Sequence, residues 1–477
     1  MNVLAIDQGT SSTKALVVSP AGEILGAAEV PVHAQATGDG GVEQDPEALW
    51  DSVLQAGRQV LKQTGVQVAA VGLANQGETV VAWERASGRP LTRAISWQDR
   101  RATSVCERLA AYGTRLQSLT GLPLDPYFAA PKMRWLREPV TGDGVCTTTD
   151  GWLLHRLTGA YVTDAATASC TLLLDLDTVT WSSEACELFE IDAGSLPAIC
   201  GCAEPVGETS AFGAPVSVTG LAVDQQAALF AEGCFGAGEA KCTYGTGAFL
   251  LATVGSRAVR STTGLVSCVA WQLAGETTYC LDGQVYTAGA AVDWLRRIGL
   301  VRDASDLDAL GAQAADSAGV VFVPGLAGLA APFWRPNARG VFAGLSLATE
   351  RAHLIRAVIE GVAAQVAWLA RAAAQDAGRP LARLRVDGGL TRSRVLMQTE
   401  ADLLQAPVEV YPSPHATAIG VAALARMGVG AARSPAAAIG QWQPVAIFDP
   451  TISPDEAESR LLRWRRVVDA TLDLPHI

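Results

Sequence analysis

Two Asp-Gly loops, one near each end of the chain, carry the residue types that are needed to hold phosphate. The first is Asp7-Gln8-Gly9-Thr10 and the second is Asp387-Gly388-Gly389, and each follows a short apolar run. Such a turn lets the backbone approach phosphate closely, because glycine lacks a Cβ and leaves N–H groups free to point at the anion. One loop in each half predicts two domains that close on one nucleotide. The chain is therefore a candidate phosphotransferase or ATPase.

The first loop is surrounded by alternating strand and helix patterns. Strands are predicted over residues 3–6, 13–18, 68–73 and 80–83 from short apolar runs that end at turn residues. Residues 46–64 have apolar positions at helical spacing. This alternation predicts an α/β domain in the first half of the chain.

The second half repeats this alternation from about residue 235. Helices are predicted over residues 353–374 in this half and 454–472 in the tail. Before this half begins, a helix is predicted over residues 151–157, and residues 199–216 are predicted to form an irregular connection. Because each half contains a strand followed by an Asp-Gly turn, we consider an internal duplication, although the sequence shows no strict repeat.

Composition limits the classes of protein that fit. With 477 residues, two domains of about 200 residues each are expected. The net charge of −12 argues against a surface for nucleic acid or anionic membranes. The apolar run at residues 3–6 is too short for a signal segment or a membrane span. Ten cysteines without a CxxC pattern indicate reduced thiols, and we expect a cytoplasmic protein.

Short motifs follow one another along nearly the whole chain: DQGTSSTKA (7–15), NQGET (75–79), SWQDRR (96–101), GLPLDPYF (121–128), KMRWL (132–136), DQQAALF (224–230), TYGTGAFLL (243–251), FVPGLAGLAAPFW (322–334), ARGVFAGL (338–345), HLIRAVIEG (353–361) and VDGG (386–389). In their order and number they resemble the FGGY family of carbohydrate kinases, and within it the glycerol kinases. The resemblance implies a two-domain α/β fold of the actin and hexokinase type, which is ribonuclease H-like, with the active site in the interdomain cleft. It also implies an N-terminal domain at 1–231, a nucleotide-binding C-terminal domain at 232–430 and a helical tail at 431–477.

Asp224 is the residue that we expect to carry the chemistry. A terminal hydroxyl is a poor nucleophile, so it needs a carboxylate within hydrogen-bond reach to take its proton. The family places its general base at the Asp of the DQQ motif, which is Asp224. An Asp before an apolar helix can instead be a helix cap. The resemblance further suggests that Asp7 lies near a Mg²⁺ ion bound to ATP and contacts it through water, since Mg²⁺ keeps several waters.

The resemblance places a set of residues at the nucleotide: Thr10, Lys14, Thr246, Gly289, Asp293, Gly389 and Ser393. Lys14 stands where glycerol kinases usually carry Arg. The positive charge is therefore kept, but the paired hydrogen bonds that a planar guanidinium donates to phosphate are lost. Asp293 stands where the family has Gln, and Ser393 stands where it has Asn. These two differences are expected to affect contacts to the ribose or base more than the transfer chemistry.

The resemblance also defines a substrate pocket: Gly77, Glu78, Trp97, Tyr127, Asp224, Gln225 and Phe249. Glycerol kinases have Arg where this chain has Gly77, so hydrogen-bond donors are lost and space opens beside Glu78. Our hypothesis is an acceptor longer than glycerol, such as a tetritol or pentitol. Glycerol itself and a ketose remain alternatives, and Arg93 or Arg100 could replace the missing cation.

The sequence thus predicts an ATP-dependent kinase that phosphorylates a terminal hydroxyl of a small polyol or sugar. An actin- or chaperone-like ATPase shares the two phosphate loops but has no use for the pocket residues. A sugar-binding regulator without activity would be expected to lack Asp7 or Asp224, and both are present. A homodimer and a homotetramer both remain open.

Overall fold

Two mixed β-sheets with related strand order form the centre of the protein. The computed structural model describes residues 1–137, 144–303 and 306–473. It shows the two-domain α/β architecture with a ribonuclease H-like sheet in each half, as the sequence predicts.

The first half contains a large sheet, several short strands and the helices around them. The strands are β1 (Val3–Gln8), β2 (Ser12–Val18), β3 (Ile24–Pro31), β4 (Gln35–Ala36), β5 (Val42–Gln44), β6 (Ala70–Asn75), β7 (Val80–Glu84), β8 (Ala94–Ile95), β9 (Gly144–Thr148), β10 (Val162–Asp164), β11 (Leu174–Asp175), β12 (Thr180–Trp181), β13 (Ala198–Cys200), β14 (Gly207–Thr209) and β15 (Val216–Val223). The helices are α1 (Pro46–Thr64), α2 (Thr103–Arg108), α3 (Gly113–Thr120), α4 (Ala129–Arg137), α5 (Thr149–Thr158), α6 (Ala165–Ser169), α7 (Ser183–Leu188) and α8 (Asp224–Ala231).

The second half has its own large sheet, which longer helices cover. The strands are β16 (Ala240–Tyr244), β17 (Ala248–Gly255), β18 (Val266–Leu273), β19 (Glu276–Val285), β20 (Val321–Val323), β21 (Val341–Ala343), β22 (Leu384–Gly388), β23 (Val408–Val410) and β24 (Ala446–Phe448). The helices are α9 (Gly289–Arg297), α10 (Asp306–Gly311), α11 (Arg351–Ala377), α12 (Arg394–Leu404), α13 (Ala416–Gly428), α14 (Pro435–Ile439) and α15 (Pro454–Leu472).

The two large sheets have related strand orders, although the first has six strands and the second has seven, with β19 between β17 and β18. The first has the order β14-β15-β6-β1-β2-β3, and the second has the order β18-β19-β17-β16-β22-β23-β24. In each, a first strand pairs antiparallel with the next strand of a hairpin and parallel with a later strand on its other side. This shared order supports the internal duplication that the sequence suggested. It also places an Asp-Gly loop at the end of a central strand in each half.

Helix α1 covers one face of the first sheet, and its ends follow from its sequence. The Asp45 side chain accepts the N–H of Glu47, Pro46 occupies the first turn, and Gly65 ends the helix in the left-handed conformation. Its buried face packs on β2 and β3.

Helix α13, from the second half, covers the opposite face of the first sheet. It packs against α8, β15, β6 and β1, and its apolar residues join the core of the first half. The approach is close enough that a Cβ on Gly72 would lie 2.7 Å from the carbonyl oxygen of Val421. The two halves are therefore joined by packing as well as by the chain.

Helix α11 is long and apolar enough to cross a membrane by length and composition. Its most apolar window is 78% buried inside the protein, as expected for the core helix of an α/β domain. At its start, the N–H of Glu350 donates to Nδ1 of His353 at 3.0 Å, so His353 serves as a cap.

Most predicted elements are present, with differences at their ends. The helix predicted at 151–157 begins earlier, at Thr149, and the one predicted at 353–374 extends over Arg351–Ala377. The segment 199–216 was predicted to be irregular, but it contains β14, which pairs with β15. A strand of three residues is too short to show an alternating pattern in the sequence.

Candidate active site

The first Asp-Gly loop joins β1 to β2. Asp7 lies opposite Lys14 in the antiparallel pairing, and the Gly9 N–H donates to the Ser12 carbonyl at 3.0 Å. Removal from water raises the pKa of Asp7 to about 7; the charge of Lys14 opposes this rise and that of Asp224 adds to it. The loop therefore presents a carboxyl group and a cation to the same space.

The second loop ends β22. Gly388 has a φ of 95°, and a Cβ there would lie 2.7 Å from the carbonyl carbon of Tyr244, so the turn requires glycine. A Cβ on Gly389 would meet no atom within 4 Å, which leaves its backbone open to a ligand. Burial raises the pKa of Asp387 against the opposing charge of Lys241, and Oδ1 of Asp387 has no hydrogen-bond partner among the described residues.

Both loops line one cleft of about 1600 Å³, including its open mouth. Three of the predicted residues lie there, namely Asp7, Lys14 and Gly389, together with Asp387. His415, just before α13, also lines the cleft and was missed from the sequence, where it stands alone in a turn between prolines and an apolar helix. The two loops thus meet across the cleft, as the sequence predicted.

Thr246 and Gly289 lie together in a neighbouring turn, outside the residues that line this cleft. The Gly289 N–H donates to the carbonyl of Gly245 at 3.0 Å, and the Ala290 N–H donates to that of Thr246 at 3.0 Å. Because Gly289 starts α9, this turn presents the helix N-terminus to the loop that carries Thr246. Their contacts with a nucleotide remain predictions.

Asp293 and Ser393 have other partners in the structure. Asp293 is exposed on α9 and pairs with Arg296 at 3.2 Å. Ser393 caps α12 by accepting the Leu396 N–H, and its hydroxyl donates to Asp308. These bonds account for both side chains without a nucleotide, so their roles there also remain predictions.

A second cavity of about 450 Å³ lies between the turn after β6, the start of α8, and strands β17 and β19. All the predicted substrate residues line it: Gly77, Glu78, Trp97, Tyr127, Asp224, Gln225 and Phe249. The lining is completed by residues that the sequence did not single out: Cys170, Val223, Gln226 and Asp282. The fold therefore brings together in one place residues that are widely separated in the chain.

Trp97 forms one wall of this cavity. Its ring centroid lies 5.8 Å from that of Tyr127 and 6.3 Å from that of Phe249, both in edge-on arrangements. Its Nε1 donates to the hydroxyl of Thr10 at 2.9 Å, and that hydroxyl donates to Gln76 at 3.1 Å. The aromatic wall is thus tied to the first phosphate loop through Thr10.

Asp224 is the first residue of α8 and faces the cavity. The cap position belongs to Val223, and Oδ1 of Asp224 accepts the Gln225 N–H at 2.7 Å. Removal from water raises the pKa of Asp224 to about 6, against the opposing charge of Lys241. A carboxylate with this pKa is ionised at neutral pH and still basic enough to accept a proton from a reacting hydroxyl.

Glu78 lies beside Asp224 in an unusual backbone conformation. Its φ of 55° is left-handed, which costs about 1–2 kcal/mol for a residue with a Cβ. Burial raises its pKa well above the ordinary value, with Lys132 opposing this rise, and the Cys170 thiol donates to the carboxyl group. Strain of this kind at a buried carboxyl group is typical of a functional site.

Lys241 is a buried cation that the sequence analysis missed. It lies on β16, and its Nζ donates to Gln225 at 2.5 Å and to Thr243 at 2.8 Å. It therefore orients Gln225 and offsets the negative charge of Asp224. The sequence has this lysine between Ala240 and Cys242, which does not by itself indicate a buried cation.

Lys132 has a similar supporting position on α4. Its Nζ donates to the carbonyls of Pro126 at 3.0 Å, Phe128 at 2.7 Å and also Tyr127. Burial lowers the pKa of Lys132 to about 7, and the nearby Glu78 opposes this shift. Lys132 holds the backbone that carries the Tyr127 ring at the cavity.

The space beside Gly77 is not filled by another arginine. Within the described residues, Arg93 pairs with Glu43 at 3.3 Å and Arg100 with Asp125 at 2.8 Å, and neither lines the cavity. A Cβ on Gly77 would lie 2.9 Å from Cγ2 of Val223. The opening is therefore narrower than the sequence suggested, because Val223 takes up part of it.

Comparisons with known proteins agree with this geometry. The model of the N-terminal domain of the FGGY family of carbohydrate kinases matches residues 2–231, and that of the C-terminal domain matches residues 240–429. The glycerol kinase of Myxococcus xanthus is 42% identical over 488 residues, with 98% of each chain covered.

Solved structures show the same fold. The glycerol kinase of Plasmodium falciparum with ADP has a TM-score of 0.92 at 30% identity and covers 99% of both chains. The xylulose kinase of Lactobacillus acidophilus has a TM-score of 0.90 at 22% identity, covering 99% of this chain and 98% of its own, which shows the fold alone.

Fold and site together define an ATP-dependent phosphotransferase with a small-molecule acceptor. The chain belongs to the FGGY family of carbohydrate kinases. The resemblance seen in the sequence is thereby confirmed, as is the use of ATP.

The residues of the cleft fit magnesium bound together with ATP. Asp7 and Asp387 face the cleft from opposite loops, and Oδ1 of Asp387 has no partner among the described residues. In the same part of the chain, no group of three or more His, Cys, Asp or Glu side chains is placed to hold a metal. A hard cation that keeps its waters and takes ligands from phosphate suits such a site.

Proposed function

We propose that the protein transfers the γ-phosphoryl group of ATP to a terminal hydroxyl of a small polyol, with glycerol as the acceptor that its relatives favour. The observation that carries this proposal is the shared cavity of Asp224, Glu78, Tyr127 and Gln225, whose Trp97 wall is hydrogen-bonded to Thr10 of the first phosphate loop. The glycerol kinases that match nearly the whole chain favour glycerol over the longer polyol that the sequence analysis placed first.

In the proposed reaction, Asp224 accepts the proton of the reacting hydroxyl as its oxygen attacks the γ-phosphorus in line with the leaving oxygen of ADP. Glu78, Tyr127 and Gln225 orient the acceptor, and Lys241 fixes Gln225. The raised pKa of Asp224 keeps it basic enough for this role.

The two loops hold the phosphates from opposite sides. Lys14 offsets their charge, and the backbone N–H groups near Gly9 and Gly389 approach the oxygens. Asp7 and Asp387 would hold a Mg²⁺ ion, which would supply further charge neutralisation there. Closure of the halves excludes water, which would otherwise compete as the acceptor.

A tetritol or pentitol is the second candidate acceptor. Gly77 removes the donors that an arginine would offer, and Arg93 and Arg100 are paired elsewhere in the described structure. A ketose is a weaker alternative, which rests on the fold shared with xylulose kinases. An ATPase that drives motion has no use for the acceptor cavity.

The test is ADP release with Mg-ATP and a panel from glycerol through tetritols and pentitols to ketopentoses. Release that requires an acceptor supports the kinase, and the best acceptor separates the candidates. Equal release with and without acceptors would contradict the kinase and favour an ATPase.

We also propose a cytoplasmic location, in keeping with ten free cysteines among the described residues. Residues 1–231, 232–430 and 431–477 are our proposed division of the chain. We propose no nucleic acid or membrane partner, given the net charge of −12. Size measurement in solution decides between a monomer, a homodimer and a homotetramer.

A further inference from the structure

One buried carboxyl group in the acceptor cavity has a free oxygen. Asp282 lies within β19 and is 8% exposed. Its Oδ1 has no hydrogen-bond partner among the described residues. An unpaired buried acceptor costs about 1–3 kcal/mol, and a ligand that donates a hydrogen bond to this oxygen would remove that cost.

The protein groups around Asp282 leave this oxygen available. Gln284, on the same strand, donates to the carboxyl group. Lys241 is the nearby cation, but its Nζ donates to Gln225 at 2.5 Å and Thr243 at 2.8 Å. Burial accordingly raises the pKa of Asp282 to about 7, with Lys241 only opposing the rise.

The strand pairing shows where this oxygen lies in the cavity. Gln284 is opposite Phe249 in the β17–β19 ladder, and Asp282 is opposite Leu251. Side chains two residues apart share a face, so Asp282 lies about 6–7 Å further along the strand from Gln284 on the side of the Phe249 wall. The cavity is thus lined by Asp224, at the start of α8, and by a second carboxyl group, Asp282, on the face of β19 that also carries Gln284.

The charges of the cavity select the kind of group that binds. Glu78, Asp224 and Asp282 all line it, and no Lys or Arg does among the described residues. A surface of hydrogen-bond acceptors suits a neutral ligand with several hydroxyl donors and repels carboxylated sugars. The proposed reaction gives one hydroxyl to Asp224 and uses Glu78 to orient the acceptor, which leaves Asp282 for a further hydroxyl.

We propose that Asp282 binds the hydroxyl at the far end of a linear polyol with four or more carbons, and thereby sets the preferred length of the acceptor. The inference rests on the proposed function and specifies the second acceptor candidate given there.

The test compares steady-state kinetics of the full-length wild type and Asp282→Asn on glycerol, a tetritol and a pentitol. We expect the variant to raise the KM for the longer polyols about 3–10-fold, because the Asn oxygen still accepts a hydrogen bond but no longer carries a charge. The KM for Mg-ATP should change little, and the effect on glycerol should be smaller than the effect on the longer polyols. Asp282→Ala, which also removes the amide, should shift the same ratio further.

Glu276→Gln is the matched control, since it makes the same chemical change at an exposed position on the same strand. It should leave every kinetic constant unchanged. Calorimetric titration of the tetritol without ATP gives an independent readout, and Asp282→Asn should weaken this binding by the same factor.

The outcomes separate the two proposals. If the wild type releases ADP without any acceptor dependence, the proposed function fails, and the inference fails with it. If the wild type turns over glycerol but no longer polyol, or if Asp282→Asn changes all acceptors equally, only the role of Asp282 is overturned.

Discussion

Asp224 combines the position and the pKa that a base for a terminal hydroxyl needs. We expect Asp224→Asn to lower kcat about 10²–10⁴-fold, because the amide cannot accept the proton. The KM for the acceptor should change much less, since Glu78 and Gln225 still line the cavity. Coupled ADP release measures both constants. Asp51→Asn, on the exposed side of α1, is the control, and an equal loss there would show an unspecific effect.

The raised pKa values predict how activity depends on pH. Asp224 must be ionised to act as base, so kcat/KM should fall as the pH decreases through about 6. This fall in kcat/KM is expected to extend over a wide pH range, because Asp7 and Asp282 have pKa values of about 7 and interact with Asp224. A rate that stays constant from pH 8 down to 5 would contradict Asp224 as the base.

The raised pKa values also affect the free energy of unfolding, which they make smaller as the pH rises, whereas the activity increases with pH. A carboxyl group whose folded pKa is raised binds protons more tightly in the folded state than in the unfolded state. The stabilisation from Asp7 and Asp282 is therefore present at low pH and is lost as the pH rises from about 4 through about 7. For Asp282→Asn we expect a higher Tm than wild type at pH 8 and no difference at pH 4, both without ligands. A lower Tm at pH 8 would contradict the unpaired state of this group.

Lys132 supports the acceptor site through the backbone. In Lys132→Met, three carbonyls lose their donor, so the free energy of unfolding should fall by about 1–3 kcal/mol. The KM for the acceptor should rise with it, because Tyr127 follows this backbone. Urea unfolding and kinetics measure the two effects. Lys62→Met, on the exposed face of α1, should change neither.

Some of these residues were accessible from the sequence and others were not. Asp224 and Glu78 lie in motifs whose neighbours also carry the family pattern, so their position could be predicted. Lys241 and Asp282 lie in strands whose short motifs give no sign of which face they occupy, and only the pairing of β16, β17 and β19 brings them to the cavity.

At the scale of elements, the packing of α13 on the first sheet depends on small residues. A Cβ on Gly420 would meet the backbone of Ala227 on α8. We expect Gly420→Ala to lower the free energy of unfolding by about 1–3 kcal/mol or more, because a rigid backbone cannot yield. In a helix, alanine is favoured over glycine by about 1 kcal/mol when no contact intervenes. A loss of stability in Gly420→Ala would therefore come from the contact with Ala227 and not from helix propensity.

Chemical denaturation measures this effect. Gly38→Ala is the control, since a Cβ there would meet no atom within 4 Å. If Gly420→Ala were as stable as wild type, the close contact between α13 and α8 would not hold in solution.

The sequence predicted elements well where the apolar pattern was long. The helices α1, α11 and α15 and the strands around the first loop were found from periodicity, with errors at their ends only. The strands β13 and β14 were missed because three residues carry no readable period. That α13 would cover the sheet of the other half was also not predictable, because an apolar helix does not show which sheet it packs on.

At the scale of the whole molecule, the site is divided between two halves that must come together. Asp7, Glu78 and Asp224 belong to the first half, and Phe249, Asp282 and Asp387 to the second. We expect a non-hydrolysable Mg-ATP analogue and the acceptor to stabilise the protein more together than the sum of the two alone, since each favours the same closed arrangement.

Thermal unfolding with one, both or neither ligand measures this coupling. A ligand at 100 times its Kd contributes about 2.7 kcal/mol alone. Strictly additive shifts would mean that the halves do not move together when they bind.

The position of α13 has a consequence for synthesis on the ribosome. One face of the first sheet is complete only when residues 416–428 have been made, although its own strands end at Val223. At about 5–20 residues per second, roughly 10–40 s separate these two points. During that interval the nascent chain exposes an apolar sheet face that only its own later segment can cover, which makes it a client for chaperones that act before release.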